Sequence, residues 1–228
     1  MYLGVKLAGA VLACFLIMTV ACDYEMSASE APHAPEFANP GERRVWVIEN
    51  YLPWMEGYDW TYYNVPPSDG RFLYELIQKT NRQSALEMGS ANGYSAIWIG
   101  LAMEQNQGKL VTIELDQAKA ALCKSNIENV GLEKVVTCLQ GDALLVTPRL
   151  DGRFDFLFVD IGPTDLLPFV KAAEQKLSND FIIALHNIGF AGNYEKLFEY
   201  AKSKGWAIKS VRTKSGEGFF LISPKANF

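Results

Sequence analysis

The chain has 228 residues, 49% of them hydrophobic and 21% charged, which is enough for one domain with a full core and typical of a folded, not a disordered, protein. Lys and Arg number 21 against 26 Asp and Glu, a net charge of −5. No basic stripe is available to follow a phosphate backbone, so nucleic acid is excluded as the partner.

The first 22 residues stand apart. Lys6 is the only early charge, and Leu7 to Ala21 is an unbroken apolar or small-residue run, short for a spanning helix and suited to the core of a secretory signal. Thr19-Val20-Ala21-Cys22 resembles the lipobox of bacterial lipoproteins, in which the signal is cut before the cysteine and that cysteine is lipidated. Thr19 departs from the leucine usual there. An uncleaved anchor and ordinary signal cleavage are the alternatives, and all three export the rest of the chain. Residues 23–41 carry Pro32, Pro35 and Pro40 and little to bury, the composition of a flexible tether. His33 within it is expected to be solvated. The expected organisation is a signal over 1–22, a tether over 23–41 and a folded domain over 42–228, held on the outer side of the cytoplasmic membrane.

Glu42 to Leu52 and Ser68 to Thr80 read as helices, the second with Ser68 at its N-cap. Between them Trp54, Tyr58, Trp60, Tyr62 and Tyr63 form either a packed cover or a substrate wall. Strands are expected at 84–88, 109–115, 134–140, 154–160 and 181–186, and helices near 94–105, 117–130, 165–177 and 193–204. Such alternation with apolar strands implies a parallel sheet covered on both faces. Ala207 to Lys214 and Gly218 to Lys225 are strands joined by Ser-Gly-Glu-Gly. That link leaves no room for a helix, so they must pair antiparallel. The expected fold class is therefore α/β: a Rossmann-like three-layer sandwich on a seven-stranded, mostly parallel sheet that ends in an antiparallel hairpin. Cys123 in a helix and Cys138 in the next strand read as two buried thiols, not a disulfide.

The run Ser84 to Ser95, SALEMGSANGYS, carries the chemistry. A buried strand, a glycine loop from Gly89 to Gly93 and a helix N-terminus at Tyr94 make a corner where backbone N–H groups point at a ligand. The spacing G-x-x-x-G lacks the middle glycine that lets a pyrophosphate approach. Glu87 sits immediately before the loop, where it would repel a phosphate and attract an ammonium or sulfonium. That points to S-adenosylmethionine. Glu114, at the end of the next strand, is placed to accept hydrogen bonds from both ribose hydroxyls. The bland alternatives are that Glu114 caps a helix and that Glu87 is an ordinary strand-end charge.

ALEMGSANGYSAIWIG, followed by LVTIELD, VVTCLQGDA and FDFLFVD, resembles the class I S-adenosylmethionine methyltransferases, and among them the catechol and caffeoyl-CoA O-methyltransferase group. The resemblance runs from about Asn64 to the C-terminus. It implies that Gly89, Tyr94 and Ser95 hold the methionine end of the cofactor and Glu114 the ribose. Asp142 and Ala143 would flank the adenine, and Asp160 would lie near the sulfonium and the acceptor. It also implies a divalent metal at Asp160 and at an Asp-Asn pair ending the fifth strand. Here that pair is His186-Asn187.

Three outcomes follow for this end of the sheet. A transition ion replaces magnesium on Asp160, His186 and Asn187, since imidazole suits such ions better than magnesium. Or no metal binds and His186 is the general base. Or His186 is structural. A second departure is Pro163, which stands where the family places a lysine that deprotonates the acceptor; Asp165 beside it reads as a cap for the next helix. The leading expectation is an exported O-methyltransferase for a small hydroxylated molecule, aromatic ones included. The alternative is an exported, non-catalytic module that binds an adenosyl ligand. A nicotinamide dehydrogenase is disfavoured by the glycine spacing and the hairpin. The expected partners are the small-molecule substrate, the membrane through the N-terminal segment, and a second copy of the chain as a homodimer.

Overall fold

The computed structural model describes residues 30–57, 64–162, 164–186 and 194–228. The folded unit is Ala31–Phe228. Tyr58, Trp60, Tyr62, Tyr63, Pro163 and Asn187 lie outside the described residues, as does the apolar run of the N-terminus. Among the described residues no helix is long and apolar enough to cross a membrane.

Chain order is α1 (Pro40–Trp46), a π-helical turn (Val47–Tyr51), α2 (Leu52–Gly57), α3 (Pro67–Thr80), β1 (Ser84–Met88), α4 (Tyr94–Gln105), β2 (Lys109–Glu114), α5 (Gln117–Asn129), β3 (Val136–Gln140), α6 (Ala143–Val146), a 3-10 turn (Thr147–Arg149), β4 (Phe154–Val159), α7 (Leu167–Glu174), β5 (Leu177–Leu185), α8 (Glu195–Ser203), β6 (Ala207–Val211) and β7 (Phe219–Ser223). The seven strands form one sheet in the order β3-β2-β1-β4-β5-β7-β6. The first five are parallel; β7 runs antiparallel to both β5 and β6. The order reverses between β1 and β4, and open sheets of this kind bind ligands at that switch, beyond the carboxyl ends of the strands.

Phe156–Val159 of β4 and Phe181–Leu185 of β5 are continuous buried apolar runs because both faces of the sheet are covered there, whereas the edge strand β3 is buried only in part. One face packs the π turn, α2, α3, α4 and α5 through Tyr51, Leu73, Ile77, Ile97 and Ile127. The other packs α6, α7 and α8 through Ala143, Val170 and Leu197. Helix α4 is buried on every side from Tyr94 to Met103, not along one stripe, because α3 and α5 cover the faces that the sheet leaves open.

Several boundaries differ from the sequence reading. The first helix begins at Pro40, inside the expected tether, because Asn39 accepts from Glu42 N and Pro40 takes the first helical position. Ala31 already packs on the core, so the chain is part of the body from there on. The stretch expected as loop after Leu52 continues as α2 through Gly57, since Pro53 lies in a first turn that needs no N–H from it. Ser68 is not the cap of α3; Pro66 precedes the helix and no side chain caps it, which leaves the Ser68 hydroxyl to donate to Asp69. β5 starts at Leu177, four residues before the expected Phe181. Asp165 is not the cap of the next helix: Leu166 holds the N-cap position and no side chain caps it, while Asp165, one residue earlier, accepts from Leu167 N at 3.1 Å.

Candidate active site

Four strand ends converge where β1 parts from β4. Gly89 N donates to Ile113 O, Asp160 N to Met88 O, and His186 N to Val159 O. These ladder bonds bring Gly89, Glu114, Asp160 and His186 to one rim of the sheet. Gly89 has φ +93, and a Cβ there would lie 2.1 Å from the Asp160 carbonyl. Only glycine allows the two strand ends to approach so closely.

On the β1–β2–β3 side the backbone dominates. Glu114 accepts from Ala91 N at 2.8 Å and from Asp116 N at 3.0 Å. It thereby ties the glycine loop to the neighbouring strand and keeps lone pairs for a ligand, since a carboxylate offers about four. The loop is braced from behind: Tyr51 donates to Asn126 Oδ1, and Asn126 Nδ2 donates to Asn92 O. Gly93, at φ +92, sits against Cys123, whose Sγ is 3.3 Å from that of Cys138. Both thiols are free, Cys123 buried and Cys138 only half-buried. The neighbouring thiol and burial push the Cys123 pKa up. Asp142 caps α6 by accepting from Leu144 N, with Ala143 buried beside it.

Two expected contacts sit deeper than a ligand would. Glu87 is fully buried beneath the loop, accepting from Thr112 at 2.6 Å. Burial, opposed by the Ser95 and Thr112 hydroxyls and aided by the charges of Asp160 and Glu114, raises its pKa to about 7. At that depth it can influence the loop above through its field and not by touch. Tyr94 is also buried, its hydroxyl donating to Glu56 of α2.

On the β4–β5–β7 side the arrangement is made by side chains. His186 Nε2 is 2.8 Å from Asp69 Oδ2 of α3 and 3.5 Å from Glu217 Oε2 of the β6–β7 loop, and Nδ1 is 3.5 Å from Asp160 Oδ2. Asp69 Oδ1 accepts from Ser68 and from Ser215 Oγ. Phe158 and Phe219 pack against the imidazole. Burial alone would lower the His186 pKa, but the Asp160 and Asp69 carboxylates outweigh it and raise the value to about 9. Asp69 would be raised by burial, but the imidazole and the hydroxyls around it hold it at about 2.

The side chains present fit a divalent ion. Nδ1 of His186 is buried and lacks a hydrogen-bond partner, and it faces the Asp160 carboxylate. Among the described residues Asp69, His186 and Glu217 also bring three ligand atoms within 4.8 Å of one another. Asn187, the third expected ligand, lies outside the described residues.

Sequence reasoning missed Asp69, Ser215 and Glu217. Asp69 reads as a favourable first-turn acid of a helix, and Glu217 as part of a turn. Only the 5-7-6 strand order carries the hairpin loop to the rim beside His186. Leu115, next after Glu114, and Leu145, three after Asp142, stay 68% and 59% exposed.

The family described as O-methyltransferase matches residues 54–211, well over half of the chain. A catechol O-methyltransferase from Niastella koreensis is 38% identical over 101 residues, which cover 42% of this chain and 45% of that protein. The chain thus spans less than half of that relative's length. A catechol O-methyltransferase from Mycobacterium tuberculosis is 27% identical over 69% of this chain and 79% of its own. Among solved structures, an O-methyltransferase from Bacillus cereus in complex with SAH shares the fold with a TM-score of 0.63 at 22% identity, covering 83% of this chain and 91% of that one.

Proposed function

The chain belongs to the O-methyltransferase family, and on that footing we propose that it transfers the methyl group of S-adenosylmethionine to a hydroxyl of a small molecule, aromatic acceptors included. The observation that carries the proposal is the cradle of Gly89, Ala91 and Glu114. A helix N-terminus, a loop only glycine can make and a strand-end carboxylate with spare lone pairs match an adenosyl ligand whose ribose offers two hydroxyls. Glu87, Asp160 and Glu114 make this rim negative, which favours a sulfonium over a phosphate. Leu115 and Leu145 supply exposed apolar surface near Glu114 and Asp142, where a purine needs it.

The chemistry asks little beyond alignment, because the methyl is already activated on sulfur. The protein must hold the acceptor oxygen in line, exclude water and take its proton. Asp160 and His186 Nδ1 would hold the divalent ion, which when bound lowers the pKa of the acceptor hydroxyl. Asp160 stands next to the switch point, placed for the acceptor. His186 is 3% exposed and walled by two phenylalanines, so its imidazole is screened from bulk water and acts on the acceptor through what it holds beside Asp160.

Pro163, where the family lysine would be, supports a second reading: an adenosyl-binding module without turnover. Export, membrane attachment through a lipidated Cys22 and homodimerisation belong to the same proposal, supported by the composition of residues 1–22 in the first two cases. Fusion of residues 1–30 to a reporter tests export, and Cys22→Ser tests lipidation. Turnover of a panel of catechols and other phenols with S-adenosylmethionine, with metals added and chelated, separates enzyme from binder. Methylated product supports the first reading; tight cofactor binding without product on any member supports the second.

A further inference from the structure

We infer that Asp69 is a positioning residue for a cation site: it holds the Nε2–H of His186, turns the Nδ1 lone pair toward Asp160, and so creates a nitrogen–oxygen pair that selects a divalent transition ion over magnesium. The inference deepens the reading of this rim as the acceptor side of a methyl-transfer site, but ion binding is measurable without cofactor or acceptor.

Asp69 is built to stay where it is. Its carboxylate is fully buried; Oδ1 accepts from Ser68 at 2.9 Å and Ser215 at 2.8 Å, and Oδ2 faces Nε2 at 2.8 Å. A neutral imidazole has one N–H and one lone pair. With Nε2–H committed to Asp69, the nitrogen that can give up its proton to an incoming ion is Nδ1, and the lone pair so freed points toward Asp160. That nitrogen is buried without a hydrogen-bond partner, 3.5 Å from Asp160 Oδ2. A histidine ligand whose other nitrogen donates to a carboxylate is the usual outer support of a metal site.

The distances decide between the two faces of the ring. Two ligand atoms bound tetrahedrally at about 2.0–2.2 Å from one ion lie roughly 3.3–3.5 Å apart. The Nδ1–Asp160 pair at 3.5 Å meets that spacing. The Nε2–Asp69 pair at 2.8 Å has the length of a hydrogen bond instead. Glu217, 3.5 Å from Nε2, could join a site on that face only after Asp69 gave up its bond. Its role is then to add negative potential beside the imidazole. An imidazole nitrogen in place of an oxygen ligand moves preference from magnesium to zinc-like ions, because magnesium demands oxygen.

The test is calorimetric titration of the chelator-treated, full-length protein with zinc and with magnesium, supported by the visible spectrum of the cobalt(II) form. Zinc is expected to bind at least about 100-fold more tightly than magnesium. Asp160→Asn abolishes binding. Asp69→Asn weakens zinc about 10- to 100-fold and alters the cobalt bands. His186→Asp, which restores an all-oxygen set, loses zinc preference and gains magnesium. Glu217→Gln leaves zinc within about 3-fold, since it is no ligand. Should Asp69→Asn fail to fold, Ser215→Ala removes one hydroxyl from Asp69 and is expected to weaken zinc in the same direction. Unchanged zinc affinity in a folded Asp69→Asn or Ser215→Ala protein overturns the inference. So does loss of zinc in Glu217→Gln with retention in Asp160→Asn, or the absence of cation binding in the parent protein. A protein that binds zinc as expected but no S-adenosylmethionine refutes the methyl-transfer reading and leaves the ion site standing.

Discussion

The two halves of the rim are built by different means. From β1 to β3 the site is backbone: a glycine at φ +93, the Ala91 N–H held by Glu114, and a helix N-terminus. From β4 to β7 it is side chains that meet across long stretches of sequence, Asp69 with His186 over 117 positions and with Ser215 over 146. Backbone geometry leaves a local trace, whereas a meeting of distant side chains leaves none until the strand order is known. The first half is therefore set by local sequence, and the second by the strand order.

The largest effect is expected at the seam. Gly89→Ala puts a Cβ 2.1 Å from the Asp160 carbonyl at a strained φ, so urea unfolding should show a loss of about 3–5 kcal/mol. A loss under 1 kcal/mol would mean that the halves are not locked together there.

Glu87→Gln separates field from contact on the cofactor side. The folded pKa of about 7 lies above the ordinary glutamate value of 4.5, so the folded protein binds the extra proton between those values. Its contribution is full below about pH 4.5 and is lost as pH rises through about 7. Glutamine mimics the protonated form. The variant should match the parent near pH 4.5 and exceed it by about 2–3 kcal/mol at pH 8, measured without ligand, while binding S-adenosylmethionine more weakly. Equal stability curves across pH 4.5–8 would remove the buried carboxyl from the account.

The smallest change is Tyr51→Phe. It strips the donor from Asn126 Oδ1 and the acceptor from Asn129, behind the loop on the cofactor side. Thermal unfolding should show a loss of about 1–2 kcal/mol, with zinc binding at the far half unchanged. A change in zinc affinity would show that the two halves are coupled.

The sheet and the cofactor loop were legible because they rest on period and on single residues: apolar runs separated by helices, glycines at the tight approach, acids at strand ends. His186 was legible as a departure, since it ends an apolar strand where an exposed histidine is improbable. Its partners were not. Asp69 sits at the start of a helix, where an acid needs no further explanation, and Glu217 lies in a glycine turn. The depth of Glu87 was also hidden, because a charged residue at a strand end reads the same whether a loop covers it or not. Helix starts moved by one or two residues, at α1 because asparagine and proline set the first turn, and β5 began four residues early.

The central claim is an anionic cradle for the adenosyl sulfonium, and it is tested most directly by calorimetric titration of S-adenosylmethionine into the parent protein and into Glu114→Ala. The parent should bind one equivalent, and the variant at least about 100-fold more weakly, since two hydrogen bonds to a charged group contribute about 1.5–3 kcal/mol each when intact. No heat of binding in the parent, or equal affinity in the two proteins, would contradict it.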